Sequence, residues 1–231
     1  MATTLRQKRA NETRMRIFGA ATQLFTEFGY NATTVDRIAL LAGVAKGTFF
    51  VHFPSKDAVI AELVRIQTRS ARKARARVLE AGKGPIEALR ATVTELATQA
   101  SFSRTLSRGV LAATLESHEV GGEISSLFDE VFAEMTADAK AAEKAGLLAG
   151  NVDANAFAGS LMASYLGSVL HFASSPGAPP LLDLIRPLID ANIAGATRSE
   201  AKRTLTKPPK TLATNRTSGI RRAPRTKGGR T

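Results

Sequence analysis

The chain has 231 residues, 44% of them hydrophobic, and a formal net charge of +12. It contains no cysteine, which excludes disulfides, thiol redox control and cysteine-ligated zinc. Residues 196–231 hold eleven Lys or Arg side chains and one acid, so this segment supplies ten of the twelve net charges. The rest of the chain is nearly neutral and has enough apolar residues for a substantial core.

The first predicted helix covers residues 12–28, after a basic leader. Its apolar residues recur at three- and four-residue steps, and Gly29 supplies the stop signal. The leader is not followed by an apolar run, and we find no segment with the roughly 18–20 apolar residues that a membrane span needs. We therefore expect a soluble, cytoplasmic protein with no membrane partner.

A short second helix is predicted next. Thr33 or Thr34 can cap it, and Asp36 is placed for a capping-box contact back to Thr33. Its apolar face is expected to consist of Val35, Ile38, Ala39 and Leu41.

A glycine turn separates this helix from a third. Gly43 can adopt a positive φ at low cost, which ends the second helix and turns the chain. The third helix, about Ala45 to His52, then has the position of the probe in a DNA-reading helix-turn-helix.

The remainder of the pattern is also helical. Ser55 can cap a long helix from Lys56 to about Glu80. Further helices are expected near 86–100, 104–117, 123–145, 153–173 and 180–195, with Gly121-Gly122 as one separator. The sequence therefore predicts an all-α protein of about nine helices. Residues 196–231 lack large apolar groups and are expected to be a disordered basic tail.

A set of short motifs at fixed spacing links the chain to a known family. They are Phe28-Gly29-Tyr30, Thr33-Thr34, Ile38-Ala39, Ala42-Gly43-Val44, Lys46-Gly47-Thr48, His52-Phe53 and Ser55-Lys56. Over roughly residues 10–60 the chain thus resembles the TetR (tetracycline repressor) family of transcription regulators. It departs from the family at Phe50, where a tyrosine is usual, and at Ala45, where serine or threonine is frequent. Each departure removes one hydroxyl contact to DNA.

The resemblance implies two domains with different functions along the chain. Residues 1–55 would form a three-helix DNA-binding domain, and residues 56–195 a helical ligand-binding and dimerisation domain. It also implies a homodimeric repressor that binds a palindromic double-stranded DNA operator and is released by a small apolar or amphipathic effector. Small residues and a leucine–isoleucine stripe in the last two helices favour the dimer.

Candidate DNA contacts come from the second and third helices and their flanks. Lys46 can reach a phosphate or a guanine edge, Thr48 a base edge, and Gly47 allows close backbone approach. Each residue also has a purely structural explanation. Lys46 could be a solvated lysine, Gly47 and Thr48 could serve helix packing, and Thr33 could be a plain N-cap. The predicted contacts are Thr33, Thr34, Ala45, Lys46, Gly47, Thr48, Phe50, His52 and Lys56. Phe49 and Phe53 are expected to be core residues.

Apolar residues of the C-terminal helices could line an effector cavity. Core packing explains any one of them at least as well, because apolar stripes at this spacing are ordinary. The candidates are Phe102, Leu106, Val110, Leu127, Phe128, Met135, Phe157, Leu161, Met162 and Tyr165. His118 and His171 have no second ligand at metal spacing, so neither a metal nor another cofactor is expected.

Two further features leave alternatives open. The fourth helix carries Arg65, Arg69, Arg72, Lys73, Arg75 and Arg77, which we interpret as a solvated face rather than a second DNA contact. An architectural DNA-binding protein that uses the basic tail without an effector is the alternative function. An enzyme is not expected, since no carboxylate pair or histidine–nucleophile set stands near a glycine-rich turn.

Overall fold

The computed structural model describes residues 5–197, and every regular element in this range is a helix. This confirms the all-α prediction of about nine helices. The predicted tail lies outside the described residues from position 198 onward. The helices are α1 (Leu5–Phe28), α2 (Val35–Ala42), α3 (Lys46–His52), α4 (Lys56–Glu80), α5 (Pro85–Ser101), α6 (Arg104–Glu116), α7 (His118–Lys144), α8 (Ala154–Ser174) and α9 (Leu181–Ala196).

The N-terminal helices share one hydrophobic cluster with the corner between α6 and α7. Phe25, Phe49 and Ile60 lie at its centre and are fully buried. Ala113 and Ile124 join the same cluster from α6 and α7. The helix-turn-helix therefore packs directly on the C-terminal body. A displacement of α6 or α7 would change the packing of the core beneath α1–α3.

The second cluster lies among α5, α7, α8, α9 and the C-terminal half of α4. Met135, Leu161 and Ile185 are fully buried in it. The long α4 contributes to both clusters, with Ile60 in the first and Ala71 in the second. It is thus the element that passes through both parts of the molecule.

The predicted separator at Gly121-Gly122 is wrong. The break falls at Ser117, whose hydroxyl accepts a hydrogen bond from the Val120 N–H and caps α7. A Cβ at Gly121 would lie 2.5 Å from the carbonyl oxygen of Thr114, so this glycine permits close packing of α7 on α6. Gly122 has open space around its Cα.

Two details of the first helices also differ from the prediction. α1 begins at Leu5 rather than near residue 12. Its first half is polar and therefore carries no apolar period from which its start could be found. On α2, the core position falls on Ala42 rather than on Leu41, which is 48% exposed.

The basic face of α4 is not simply solvated, because three of its arginines form ion pairs with acids along α7. Arg75 holds Asp138 through two hydrogen bonds of 2.6 and 2.7 Å, and the pKa of its guanidinium is raised chiefly by that contact. The other pairs are Arg65 with Glu123, Arg72 with Glu130 and Glu134, and Arg75 with Glu134. These contacts fix α4 against α7.

One described helix, α8, is long and apolar enough by composition to cross a membrane, contrary to the expectation that no segment would qualify. Half of that window is buried inside the protein. Phe157, Leu161 and Tyr165 on α8 belong to the second hydrophobic cluster. The apolar character of α8 is thus accounted for in part by core packing.

Candidate nucleic-acid interface and ligand cavity

The turn between α2 and α3 is built by a cap at each end of α2. The Thr34 hydroxyl accepts a hydrogen bond from the Arg37 N–H and begins the helix. Gly43 ends it with φ of 64°, in the left-handed region that favours glycine. The N–H groups of Gly43 and Val44 bond to the carbonyls of Leu40 and Ala39, which closes the turn before α3 begins.

The inner side of α3 fixes its orientation. Phe49 and Phe53 are buried in the N-terminal cluster, as predicted from the sequence. Arg14 of α1 stacks its guanidinium 4.1 Å from the centre of the Phe53 ring and donates to the carbonyl oxygen of His52. It also pairs with Glu62 of α4 at 2.9 Å. These contacts of Arg14 could not be predicted from the sequence, because the partners are 38 and 48 residues apart in the chain.

The outer side of α3 is open to solvent. Lys46, Gly47 and Phe50 are exposed, as is the preceding Ala45. Val51 is 80% exposed and was not among the predicted contacts, although it stands one residue from Phe50 on the same short helix. Thr48 and His52 are half-buried. Apolar side chains exposed on such a face can meet thymine methyl groups.

Lys46 carries its charge at the N-terminal end of this open face. Its ammonium pairs with Asp36 of α2 at 3.0 Å, and both side chains are more than half exposed. An exposed pair of this kind is worth little in water, so a phosphate can replace Asp36 at small cost. Asp36 therefore pairs with Lys46 and does not form the predicted capping box with Thr33, whose N–H bonds to the Tyr30 carbonyl.

Two predicted DNA contacts, Thr33 and Lys56, have partners within the protein. Thr33 is 1% exposed, and its hydroxyl donates to the carbonyl oxygen of Gly29 at 2.8 Å, so it cannot reach a phosphate. Lys56 donates to the carbonyls of Tyr30 and Thr33 at 2.9 and 3.2 Å. Burial lowers the pKa of its ammonium. Both residues stabilise the loop between α1 and α2. The burial of Thr33 is a correction to the sequence prediction, whereas Lys56 is half-buried and its phosphate contact stays a prediction.

The same loop contacts the C-terminal body through Tyr30. Its hydroxyl donates to Asp57 at the start of α4, and burial raises the pKa of that carboxyl. A Cβ added to Gly109 of α6 would lie 3.1 Å from the Tyr30 Cβ, so the two backbones approach closely here. Tyr30 thus joins the DNA-binding helices to both α4 and α6.

A cavity of about 510 Å³ lies among α4, α6, α7 and α8. Four of the predicted cavity residues line it: Val110, Phe128, Met162 and Tyr165. The other six do not. Met135, Phe157 and Leu161 fill the second core cluster, Leu106 and Leu127 pack on the first, and Phe102 is exposed. The helical period of the apolar residues identified the buried faces of the helices. It could not show which of these faces borders a cavity.

The lining also includes residues outside the predicted set. Small and polar residues make up most of this group, and they carry no apolar signal. They include Gln67, Ser107, Thr114, Ser125, Asp129, Gly159 and Ala163.

The capped α2, the glycine turn and the exposed α3 together form a helix-turn-helix of the kind that DNA-binding proteins use, and the cavity lies apart from it. The sequence model of the family "Bacterial regulatory proteins, tetR family" matches residues 17–63. Over that segment the chain is similar to the TetR family of transcriptional regulators.

Similar proteins agree with this assignment. The uncharacterized HTH-type transcriptional regulator YhgD of Bacillus subtilis is 49% identical over 47 residues, which are 20% of this chain and 25% of YhgD. The chain thus matches a quarter of that relative's length.

Solved structures match over a longer range. SmeT, the repressor of the Stenotrophomonas maltophilia multidrug efflux pump SmeDEF, has a TM-score of 0.66 at 24% identity, covering 81% of this chain and 91% of SmeT. FadR of Thermus thermophilus, solved with lauroyl-CoA, has a TM-score of 0.61 at 25% identity, covering 81% of this chain and 96% of FadR.

Proposed function

We propose that the protein is a cytoplasmic, homodimeric repressor that binds a palindromic operator and releases it when a small apolar or amphipathic effector binds. The observation that carries the DNA-binding part is the open face of α3. Lys46, Gly47 and Phe50 are exposed there, while Phe49 and Phe53 hold the other side of the helix in the core. A rigid helix with one free face suits insertion into the major groove.

The dimer is supported by the outer surface of α8 and α9. Leu166, Leu170 and Leu188 are 42–54% exposed there. Gly167 and Pro187 lie between them on the same two helices and line a shallow groove. Pairing of this surface with its two-fold mate would bury the leucines and form a four-helix interface. The α3 helices of a dimer would then read half-sites about one DNA turn (34–36 Å) apart.

Effector control is supported by α6, which touches both the cavity and the DNA-binding helices. Ser107 and Val110 line the cavity, and Gly109 between them contacts Tyr30. A ligand that favours a different position of α6 will therefore change the contact between Gly109 and Tyr30, and with it the position of the α1–α2 loop. Operator affinity falls by the same differential free energy, typically about 1–3 kcal/mol. FadR bound to lauroyl-CoA and SmeT bound to triclosan are neighbours of the same fold.

The purified protein is used to select tight-binding duplexes from a random DNA pool. The selected duplexes are then footprinted. We expect a two-fold symmetric sequence with half-sites one helical turn apart. Enrichment of no sequence, or protection without symmetry, would contradict the proposal.

The second candidate function, an architectural DNA-binding protein, is favoured by one observation. Residues 196–231 carry eleven basic side chains and one acid, enough for sequence-independent attraction to phosphates. This function predicts similar affinity for all selected and unselected duplexes, so the same selection experiment distinguishes the two.

A further inference from the structure

The cavity combines an apolar wall with polar side chains that are not used by the fold. Phe128, Phe132 and Tyr165 supply three aromatic rings, with the Phe128 and Tyr165 ring centres 6.1 Å apart. Met162 and Val169 extend the apolar wall. A volume of about 510 Å³ is in the range that accommodates small organic ligands, roughly 300–1,000 Å³.

Two neutral polar groups face this space without a partner. Gln67 and Tyr165 are 7% and 2% exposed, and within residues 5–197 neither side chain makes a hydrogen bond. Among the described residues the Thr136 hydroxyl is the one fully enclosed side-chain polar atom without a partner, so the polar atoms of Gln67 and Tyr165 stay open to the cavity. A ligand can therefore form hydrogen bonds with them. Burial also raises the pKa of the Tyr165 hydroxyl, which keeps it protonated and able to donate.

Among the described lining residues of the cavity there is one charge, and it is negative. Asp129 of α7 is its charged lining residue, and no Lys, Arg or His is found in the described lining. Within the described range Asp129 has no ion pair, whereas Glu123, Glu130 and Asp138 on the same helix are each held by an arginine of α4. Asp129 is also exposed, so it stands where the cavity opens to solvent.

We infer that the cavity selects an amphipathic organic cation, with its apolar body among the aromatic rings and its positive group beside Asp129. This inference rests on the proposed effector site and specifies its ligand class. Aromatic faces and a free carboxylate both attract a cation, and both repel an anionic head group. A fatty acid or an acyl-CoA would bring negative charge to a site that offers it no cation.

The experiment compares three ligands that share a twelve-carbon chain: dodecylammonium, dodecanol and dodecanoate. Binding to the full-length protein is measured by calorimetry below the micellar concentration of each. We expect dodecylammonium to bind about tenfold more tightly than dodecanoate, with dodecanol between them. Asp129→Asn should weaken dodecylammonium binding about tenfold and leave dodecanol unchanged. Glu143→Gln, an exposed acid of α7 outside the cavity, should change none of the three.

Equal or tighter binding of dodecanoate, an unaffected Asp129→Asn variant, or no binding of dodecylammonium would overturn the inference. Its failure is distinct from that of the proposed function, because release of selected operator DNA is measured in parallel. Release by dodecanoate or dodecanol alone keeps effector control and rejects the cation. Charge-selective binding without release keeps the cation and rejects effector control.

Discussion

Lys46 is the residue on which the DNA-binding proposal depends most. It is exposed and makes a single weak pair with Asp36, so its replacement leaves the core of the helix-turn-helix intact. Its neighbours Phe49 and Phe53, by contrast, hold α3 in place and would unfold the domain if truncated. DNA contact and stability are therefore separable at this site.

We predict that Lys46→Ala weakens binding to the selected operator by about tenfold or more and lowers the slope of log affinity against log salt by about one, because one phosphate contact is lost. Fluorescence anisotropy across a salt series measures both quantities. Lys83→Ala, in the exposed turn between α4 and α5, is the matched control. Unchanged affinity and slope in Lys46→Ala would remove this residue from the interface.

At the scale of elements, the contact between α6 and α7 depends on Gly121. We predict that Gly121→Ala lowers the free energy of unfolding by about 1–3 kcal/mol, since its Cβ would meet the Thr114 carbonyl at 2.5 Å. Gly122→Ala has open space and should raise that free energy by about 0.5–1 kcal/mol through helix propensity. Urea unfolding of both variants is the measurement. Equal effects would show that α7 does not need the close approach.

The ion pairs between α4 and α7 provide a second test at this scale. Arg75→Met leaves the carboxylate of Asp138, 5% exposed, without its cation and should cost about 3–5 kcal/mol of unfolding free energy. Adding Asp138→Leu should restore most of that loss. Arg72→Met, whose partners are more exposed, should cost about 1 kcal/mol or less. If the double variant is no more stable than Arg75→Met, the cost is not that of an unpaired buried charge.

The helices and the reading segment could be predicted because apolar period, capping residues and Gly43 act locally. What the sequence could not show depends on distant partners. Thr33 and Thr34 are equally good caps by residue type, and their roles separate only because Thr33 is buried against the end of α1. Likewise, Asp129 and Asp138 are both acids of α7, but one lines the cavity and the other pairs with Arg75.

At the scale of the whole molecule, charge is concentrated at the C-terminal end of the sequence. Because Ala196 is buried in α9, truncation should begin after Thr197. We predict that deleting residues 198–231 flattens the salt dependence of DNA binding, by up to about 0.9 per phosphate neutralised, and preserves operator preference. Anisotropy titrations with operator and unrelated duplexes measure both. An equal slope in the two forms would leave the segment without a role in DNA binding.

Leu166 of α8 lines the cavity and also lies 47% exposed on the surface proposed to pair with a second subunit. In such a dimer, one side chain would separate each ligand from the opposite protomer, so filling the first site alters the packing around the second. Effector titration of the intact dimer should therefore depart from a simple hyperbola, and Leu166→Ala should restore one.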